Sequence, residues 1–255
     1  MRYGICCGPN STEAAKRAGY DYFEWSVPAL LKPREPEAAF QRALAQVRAT
    51  ELPCEALNCL VPADLKVTGP VVDRATLEAY IHTTMIRAGE AGVKVVVFGS
   101  GGARNVPEGF DRDVAAQQLV WFLKMSGRYA AAAGVTIVIE PLNRAETNIV
   151  NSVAEGVDLM RRANHPAVRM LVDGFHLMRE REPAEVVVQH ASAFAHMHVA
   201  TQANRRYPGN EPCEGLPVFL EAVRRSGYTG RMSVEAGLQD PVQDPPRALA
   251  VLKNG

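Results

Sequence analysis

Eight short, largely apolar runs recur along the chain, each followed by a stretch whose apolar residues return at helical spacing. The runs cover residues 2–6, 20–25, 54–60, 95–98, 135–140, 168–173, 194–199 and 231–235. Helices are expected over residues 12–18, 36–50, 71–89, 112–133, 152–163, 183–190, 216–226 and 245–252. Several runs are rich in Val and Ile and most are apolar on both faces, which suits parallel strands covered on both sides. Gly19, Gly92, Gly134 and Gly227 each follow a helical stretch and precede a strand, as helix C-terminal caps do. Strict strand–helix alternation in eight units, over 255 residues, predicts a (β/α)8 barrel and a single domain spanning 1–255. No Ser/Gly-rich stretch or charge run divides the chain.

The polar residues that interrupt this pattern fall at strand ends. Glu140, Asp173, His198 and Glu235 close the last four runs or sit near their ends, separated by 33, 25 and 37 residues. In a parallel barrel these ends converge on one mouth, where catalytic groups come from several strands. Two Glu, one Asp and one His there form a mixed oxygen and nitrogen site for a divalent cation. Each residue alone has a plainer reading. Glu140 ends an apolar strand, where a carboxylate is costly to bury without a cation or partner, but a salt bridge with Arg144 would serve. Asp173 and His176 are spaced to share one face if the loop turns helically, with Asp173 the better ligand and His176 suited to a substrate oxygen. His196 and His198 point the same way on one strand, so they also fit a stacked core layer. An isolated Glu235 would read as a solvated turn residue.

Taken together the four carry specific chemistry. A cation polarises a carbonyl and its neighbouring hydroxyl, acidifies the adjacent C–H and stabilises an enediolate. One Glu takes the proton and the other returns it, giving epimerisation or aldose–ketose isomerisation. Two loops are less specific. Residues 99–104 (Gly-Ser-Gly-Gly-Ala-Arg) look like a phosphate cradle, yet lack a Gly-Lys-Ser/Thr ending and are not expected to open directly into a helix. Residues 204–209 (Asn-Arg-Arg-Tyr-Pro-Gly) offer guanidinium donors to a polar ligand.

Composition narrows the partners. The chain carries 28 basic and 28 acidic residues, so nothing resembles the basic stripe of a nucleic-acid binder. Residues 1–17 hold no apolar core of a signal peptide, and the longest apolar stretch, near 129–139, is too short to cross a bilayer. A soluble, cytoplasmic protein is expected. Five cysteines without a C-x-x-C pair argue for reduced thiols, with Cys6 and Cys7 pointing to opposite faces as small apolar fillers.

The segments Val138-Ile139-Glu140-Pro141-Leu142-Asn143-Arg144, Asp173-Gly174-Phe175-His176 and His196-Met197-His198, followed by an Asn-Arg-x-x-Pro-Gly loop, occur in one order along the chain. Together they resemble the xylose isomerase-like TIM barrels. The likeness is to the sugar phosphate isomerase/epimerase group that holds D-tagatose 3-epimerase, D-psicose 3-epimerase and hydroxypyruvate isomerase. The resemblance implies one divalent ion, Mn2+ first and Mg2+ or Co2+ as alternatives, held by Glu140, Asp173, His198 and Glu235. It implies Glu140 and Glu235 as the proton-transfer pair, and Glu146, His176 and Arg205 as contacts to substrate oxygens. It also implies a small carbohydrate-like substrate, no nucleic-acid or membrane partner, and a homo-oligomer.

Two departures stand out. The loop between His198 and Asn204 is one residue longer than in the epimerases, which leaves open whether Arg205 or Arg206 reaches the substrate. Ala236-Gly237 replaces the Pro-Phe that follows the last Glu. Three other functions share the scaffold or its ligands: a dehydratase of a cyclic polyol ketone, an endonuclease IV-type repair enzyme, and a non-catalytic binding protein. The endonuclease reading asks for a multi-metal cluster, and the chain's six histidines and zero net charge weigh against it.

Overall fold

A computed structural model of the protein describes residues 1–254. Eight strands, β1 (Arg2–Cys6), β2 (Tyr22–Ser26), β3 (Cys54–Asn58), β4 (Val95–Phe98), β5 (Thr136–Ile139), β6 (Val168–Asp173), β7 (Phe194–Val199) and β8 (Arg231–Val234), close into a barrel in chain order. Every neighbouring pair is parallel, including β1 with β8. Helices such as Glu37–Arg48, Arg74–Glu90 and Arg112–Ala132 form the outer ring, so the eightfold alternation read from the sequence is the architecture observed.

The boundaries shift by a residue or two, for local reasons. β3 stops at Asn58 rather than Leu60, because Cys59 adopts a left-handed φ of 57° that ends the extended run. β2 starts at Tyr22, since the Tyr20 N–H is already spent on the Ala15 carbonyl of the preceding helix. Each glycine expected to cap a helix has the left-handed φ that role needs, 97° at Gly19, 74° at Gly92, and 69° at both Gly134 and Gly227. Asp73, Asp111 and Ser152 cap the other ends of their helices by accepting backbone N–H groups. No described helix is long and apolar enough to cross a membrane.

Two cores result. A large apolar layer lies between strands and helices, while a smaller one fills the barrel itself with Tyr22, Ala56, Val95, Val97, Val138 and Leu171. The Tyr22 ring lies over Gly4, where a Cβ would sit 2.2 Å from it. Because strand side chains repeat every second residue, the next inward position after Tyr22, Val138 and Leu171 is Glu24, Glu140 and Asp173. The inner core therefore ends, one step toward the strand C-termini, in carboxylates.

Candidate active site

Four strand ends deliver the expected side chains to one place. Asp173 pairs with His198 across the β6–β7 ladder, and the Glu235 N–H donates to the Val199 carbonyl at 3.1 Å. One ligand atom each from Glu140, Asp173, His198 and Glu235 lies within 4.8 Å of all the others. His198 Nδ1 is 3.2 Å from Glu140 Oε1 and 3.2 Å from Glu235 Oε2. Asp173 Oδ1 caps the helix Gly174–Arg179 by accepting the Phe175 N–H at 2.8 Å, but its buried Oδ2 accepts no hydrogen bond. Three carboxylates and one imidazole nitrogen around a common point, with a buried oxygen left unsatisfied, are a donor set that suits a hard divalent cation.

Charge crowding perturbs every member. Burial holds the Glu140 carboxyl above its usual range and pushes Asp173 up to about 7. Burial acts on Glu235 in the same direction, but His198 and Arg205 outweigh it and bring that carboxyl down to about 2. Burial lowers the His198 pKa, yet Glu24, Glu235 and Glu140 more than offset this and raise it well above the ordinary value.

The rim holds the residues expected to face a substrate. His176 lies one helical turn beyond Asp173, its Nε2 at 3.5 Å from Asp173 Oδ2. Its Nδ1 accepts the Asn143 N–H at 3.1 Å, so the proton sits on Nε2, which is buried without a hydrogen-bond partner. Burial takes the His176 pKa down to about 3, so the ring is neutral. Arg205 stacks over the Phe175 ring at 4.7 Å and places Nη2 at 2.5 Å from Glu235 Oε2 and 3.6 Å from Asp173 Oδ2. Its Nη1 lies 3.5 Å from Glu146 Oε1, which also accepts from the Asn143 amide at 3.0 Å. Arg206 instead uses its backbone, donating to Thr201 Oγ1 at 2.9 Å and bridging to Gly237. The arginine at the mouth is Arg205.

Residues 12–254 match the xylose isomerase-like TIM barrel family. The chain belongs to that family. It is 26% identical over 237 residues to the L-ribulose 3-epimerase of Methylomonas sp., a match covering 91% of this chain and 78% of that enzyme. It is 30% identical over 109 residues to the D-psicose 3-epimerase of Ruminiclostridium cellulolyticum, where the match spans only 42% of this chain and 36% of the enzyme. Among solved structures, the apo 3-keto-D-glucoside 4-epimerase of E. coli superposes with a TM-score of 0.82 at 21% identity, each chain covered in full. At that identity the superposition speaks for the shared fold alone.

On this xylose isomerase-like barrel several readings of single residues change. Arg144 pairs with Glu180, not with Glu140. The loop after β4 does turn into a short helix, Gly101–Arg104, and it cradles the protein's own atoms. Gly99 leaves room for Glu140, since a Cβ there would lie 2.3 Å from Oε2, and a Cβ on Gly101 would lie 2.6 Å from the Glu146 carbonyl oxygen. Arg104 is fully buried beneath the site and donates to the carbonyls of Phe98 at 3.0 Å and Glu140 at 2.8 Å.

Three participants are not foreseen from the sequence. Arg104 holds the backbone at Glu140 in place, Asn58 donates to Glu235 Oε1 at 3.0 Å, and Glu24 lies directly behind His198. A signal existed for Glu24. It is a carboxylate inside the apolar run Tyr22-Phe23-Glu24-Trp25, the same anomaly that draws attention to Glu140.

Proposed function

We propose that the chain is a divalent-metal-dependent epimerase or isomerase of a small ketose or keto-sugar. The observation that carries this reading is the convergence of Glu140, Asp173, His198 and Glu235 at the barrel mouth, one donor atom of each within 4.8 Å of the others. The similarity to 3-epimerases of ketoses supports it. Those four side chains would hold the cation, Mn2+ first and Mg2+ or Co2+ next. When bound, it would polarise a ketone and the adjacent hydroxyl, making the intervening C–H acidic and stabilising the enediolate.

The rest falls to the protein's own residues. Glu140 and Glu235 are the proton-transfer pair: one removes the proton from the carbon beside the carbonyl, and the other returns it. His176 offers an Nε2–H to a sugar oxygen, Glu146 accepts from a hydroxyl, and Arg205 donates to a hydroxyl or carbonyl. Burial of Glu140, Asp173 and His198 keeps water from competing for the transferred proton. A free sugar fits better than a phosphorylated one at the loop after β4. Arg104 is committed to buried carbonyls, and Lys66 donates to the Gly102 carbonyl at 2.8 Å.

Incubation with Mn2+ and a panel of ketoses and 3-keto-glycosides in deuterated water tests the proposal. The expected product is an epimer or isomer of unchanged composition carrying one carbon-bound deuterium. Glu140→Gln and Glu235→Gln are each expected to slow that exchange by at least about 100-fold, the lower end of what a positioned acid or base contributes. Loss of one water from the substrate would favour the dehydratase. No exchange on any member of the panel, by a protein that takes up Mn2+, would leave a binding role.

A further inference from the structure

Glu24 has no part in the chemistry described so far, yet it is fully buried in the middle of β2. Its two oxygens face two imidazoles on β7, with Oε2 at 2.8 Å from His196 Nε2 and Oε1 at 3.0 Å from His198 Nε2. An ionised carboxylate only accepts hydrogen bonds, so each ring must present an Nε2–H. For a neutral His198 this puts the lone pair on Nδ1, the atom that lies 3.2 Å from both Glu140 and Glu235. The second ring pins the carboxylate. His196 is wholly buried, has no partner at Nδ1, and approaches Ser233 Oγ at 3.5 Å, where Tyr22 in turn pairs with Ser233 at 2.9 Å.

We propose that Glu24 is the positioning residue of the metal site: it holds His198 in the Nε2–H form and aims Nδ1 at the point shared by Glu140, Asp173 and Glu235. The proposal rests on reading those four residues as cation ligands. The physical logic is that a carboxylate behind a ligating histidine fixes ring orientation and tautomer and strengthens the ring as a donor. Cys6, Glu24 and His198 also bring donor atoms within 4.8 Å of one another. A cation among those three would have to displace the His198 Nε2 proton that Glu24 already accepts, so Glu24 serves the imidazoles rather than a metal of its own.

Glu24→Gln isolates the role. The amide keeps the shape but replaces one acceptor oxygen with an NH2, which opposes an Nε2–H with another donor. One ring must then move its proton to Nδ1 or lose its bond. Two readouts apply to the full-length protein: Mn2+ affinity, from the free-ion electron paramagnetic resonance signal, and the 15N–1H correlations of the imidazoles with Mg2+ bound.

The expected result is that Glu24→Gln weakens Mn2+ binding by about 10–100-fold. Glu24→Asp, which keeps a carboxylate, should fall between it and the wild type. His198 in the wild type should carry its proton on Nε2. Mn2+ affinity in Glu24→Gln equal to that of the wild type would overturn the role of Glu24 alone, and so would an Nδ1-protonated His198 in the loaded wild type. Failure of the wild type to bind Mn2+ would remove the cation site and this role together. Should Glu24→Gln not fold, the wild-type ring spectrum and the Glu24→Asp affinity decide the matter by themselves.

Discussion

The two ends of the barrel interior are built by the same strands and obey opposite rules. The lower layer, with Val97, Val138 and Leu171, is mostly apolar, and its polar groups are few: Tyr22 pairs with Ser233, and His196, opposite Leu171, meets Glu24 through Nε2. The upper layer, one inward position further along each strand, gathers Glu24, Glu140 and Asp173 and leaves Asp173 Oδ2 and His176 Nε2 buried without hydrogen bonds. The lower layer stabilises the fold by excluding water from close-packed side chains. At Glu140 and Asp173 the upper layer lowers stability, because burial opposes the charge those carboxylates need, whereas the two imidazoles hold the Glu24 charge in place. Two residues of strand separate a part that holds the barrel together from a part that strains it, and the barrel tolerates the second because of the first.

The largest expected break in that contrast comes from Asp173→Asn. Asparagine keeps an oxygen to cap the helix at Phe175 but removes the buried charge. Mn2+ affinity is expected to fall about 1000-fold, as for a buried charge that loses its partner. Meanwhile the metal-free protein should melt at a higher temperature, since a disfavoured charge is gone. The pH dependence follows the same group. Its folded pKa of about 7 lies above the ordinary aspartate value of 3.8, so between these values the folded state binds a proton that the unfolded state does not. Asp173 therefore contributes a loss of metal-free stability as pH rises from about 4 to about 7, and none beyond. Mn2+ affinity should weaken as pH falls below about 7, because the cation needs the ionised form. Melting curves at several pH values for wild type and Asp173→Asn check both signs. A variant that is less stable, or a wild-type slope that Asp173→Asn leaves unchanged, would show that the upper layer carries no such penalty.

Below the mouth the expectation reverses. Leu171→Ala opens a cavity in the inner core and should cost about 2–5 kcal/mol in denaturant unfolding. Mn2+ affinity should fall much less, by no more than about tenfold, because Leu171 offers the cation no donor and meets the site only through its ladder neighbour His196. A large loss of affinity with little loss of stability would mean that the lower layer serves the site rather than the fold.

The sequence made the lower layer easy to read and the upper one only half so. Covered parallel strands are apolar on both faces, so runs such as Val95–Phe98 announce themselves without any knowledge of their partners. Glu140, Asp173 and His198 stand out for the same reason, as polar breaks at the ends of such runs. Arg104 reads as a loop cation and turns out to be a buried strut, because its acceptors are the carbonyls of Phe98 and Glu140, which local sequence does not reveal. Glu24 lies 174 residues from His198 in the chain, and only closure of the barrel brings the two together. Within the turn after β7, Arg205 takes a left-handed φ of 50°, a backbone conformation that the run Asn204-Arg205-Arg206 does not announce.

That turn sets the smallest expected difference, between two adjacent arginines. Arg205 reaches three carboxylates at the mouth and is stacked on Phe175, while the backbone of Arg206 closes the turn through Thr201. In the ketose exchange assay, Arg205→Ala should raise KM by about 10–100-fold, the worth of one or two hydrogen bonds from a charged group. The change in kcat should be smaller, because in the proposed reaction Arg205 binds substrate oxygens and transfers no proton. Arg206→Ala keeps the backbone bonds to Thr201 and should change neither constant by more than about twofold, as is usual for surface charges. Equal KM effects from the two substitutions would mean that the turn as a whole, rather than one guanidinium, binds the sugar. A dominant effect from Arg206 would place the register of the loop one residue away from the one described.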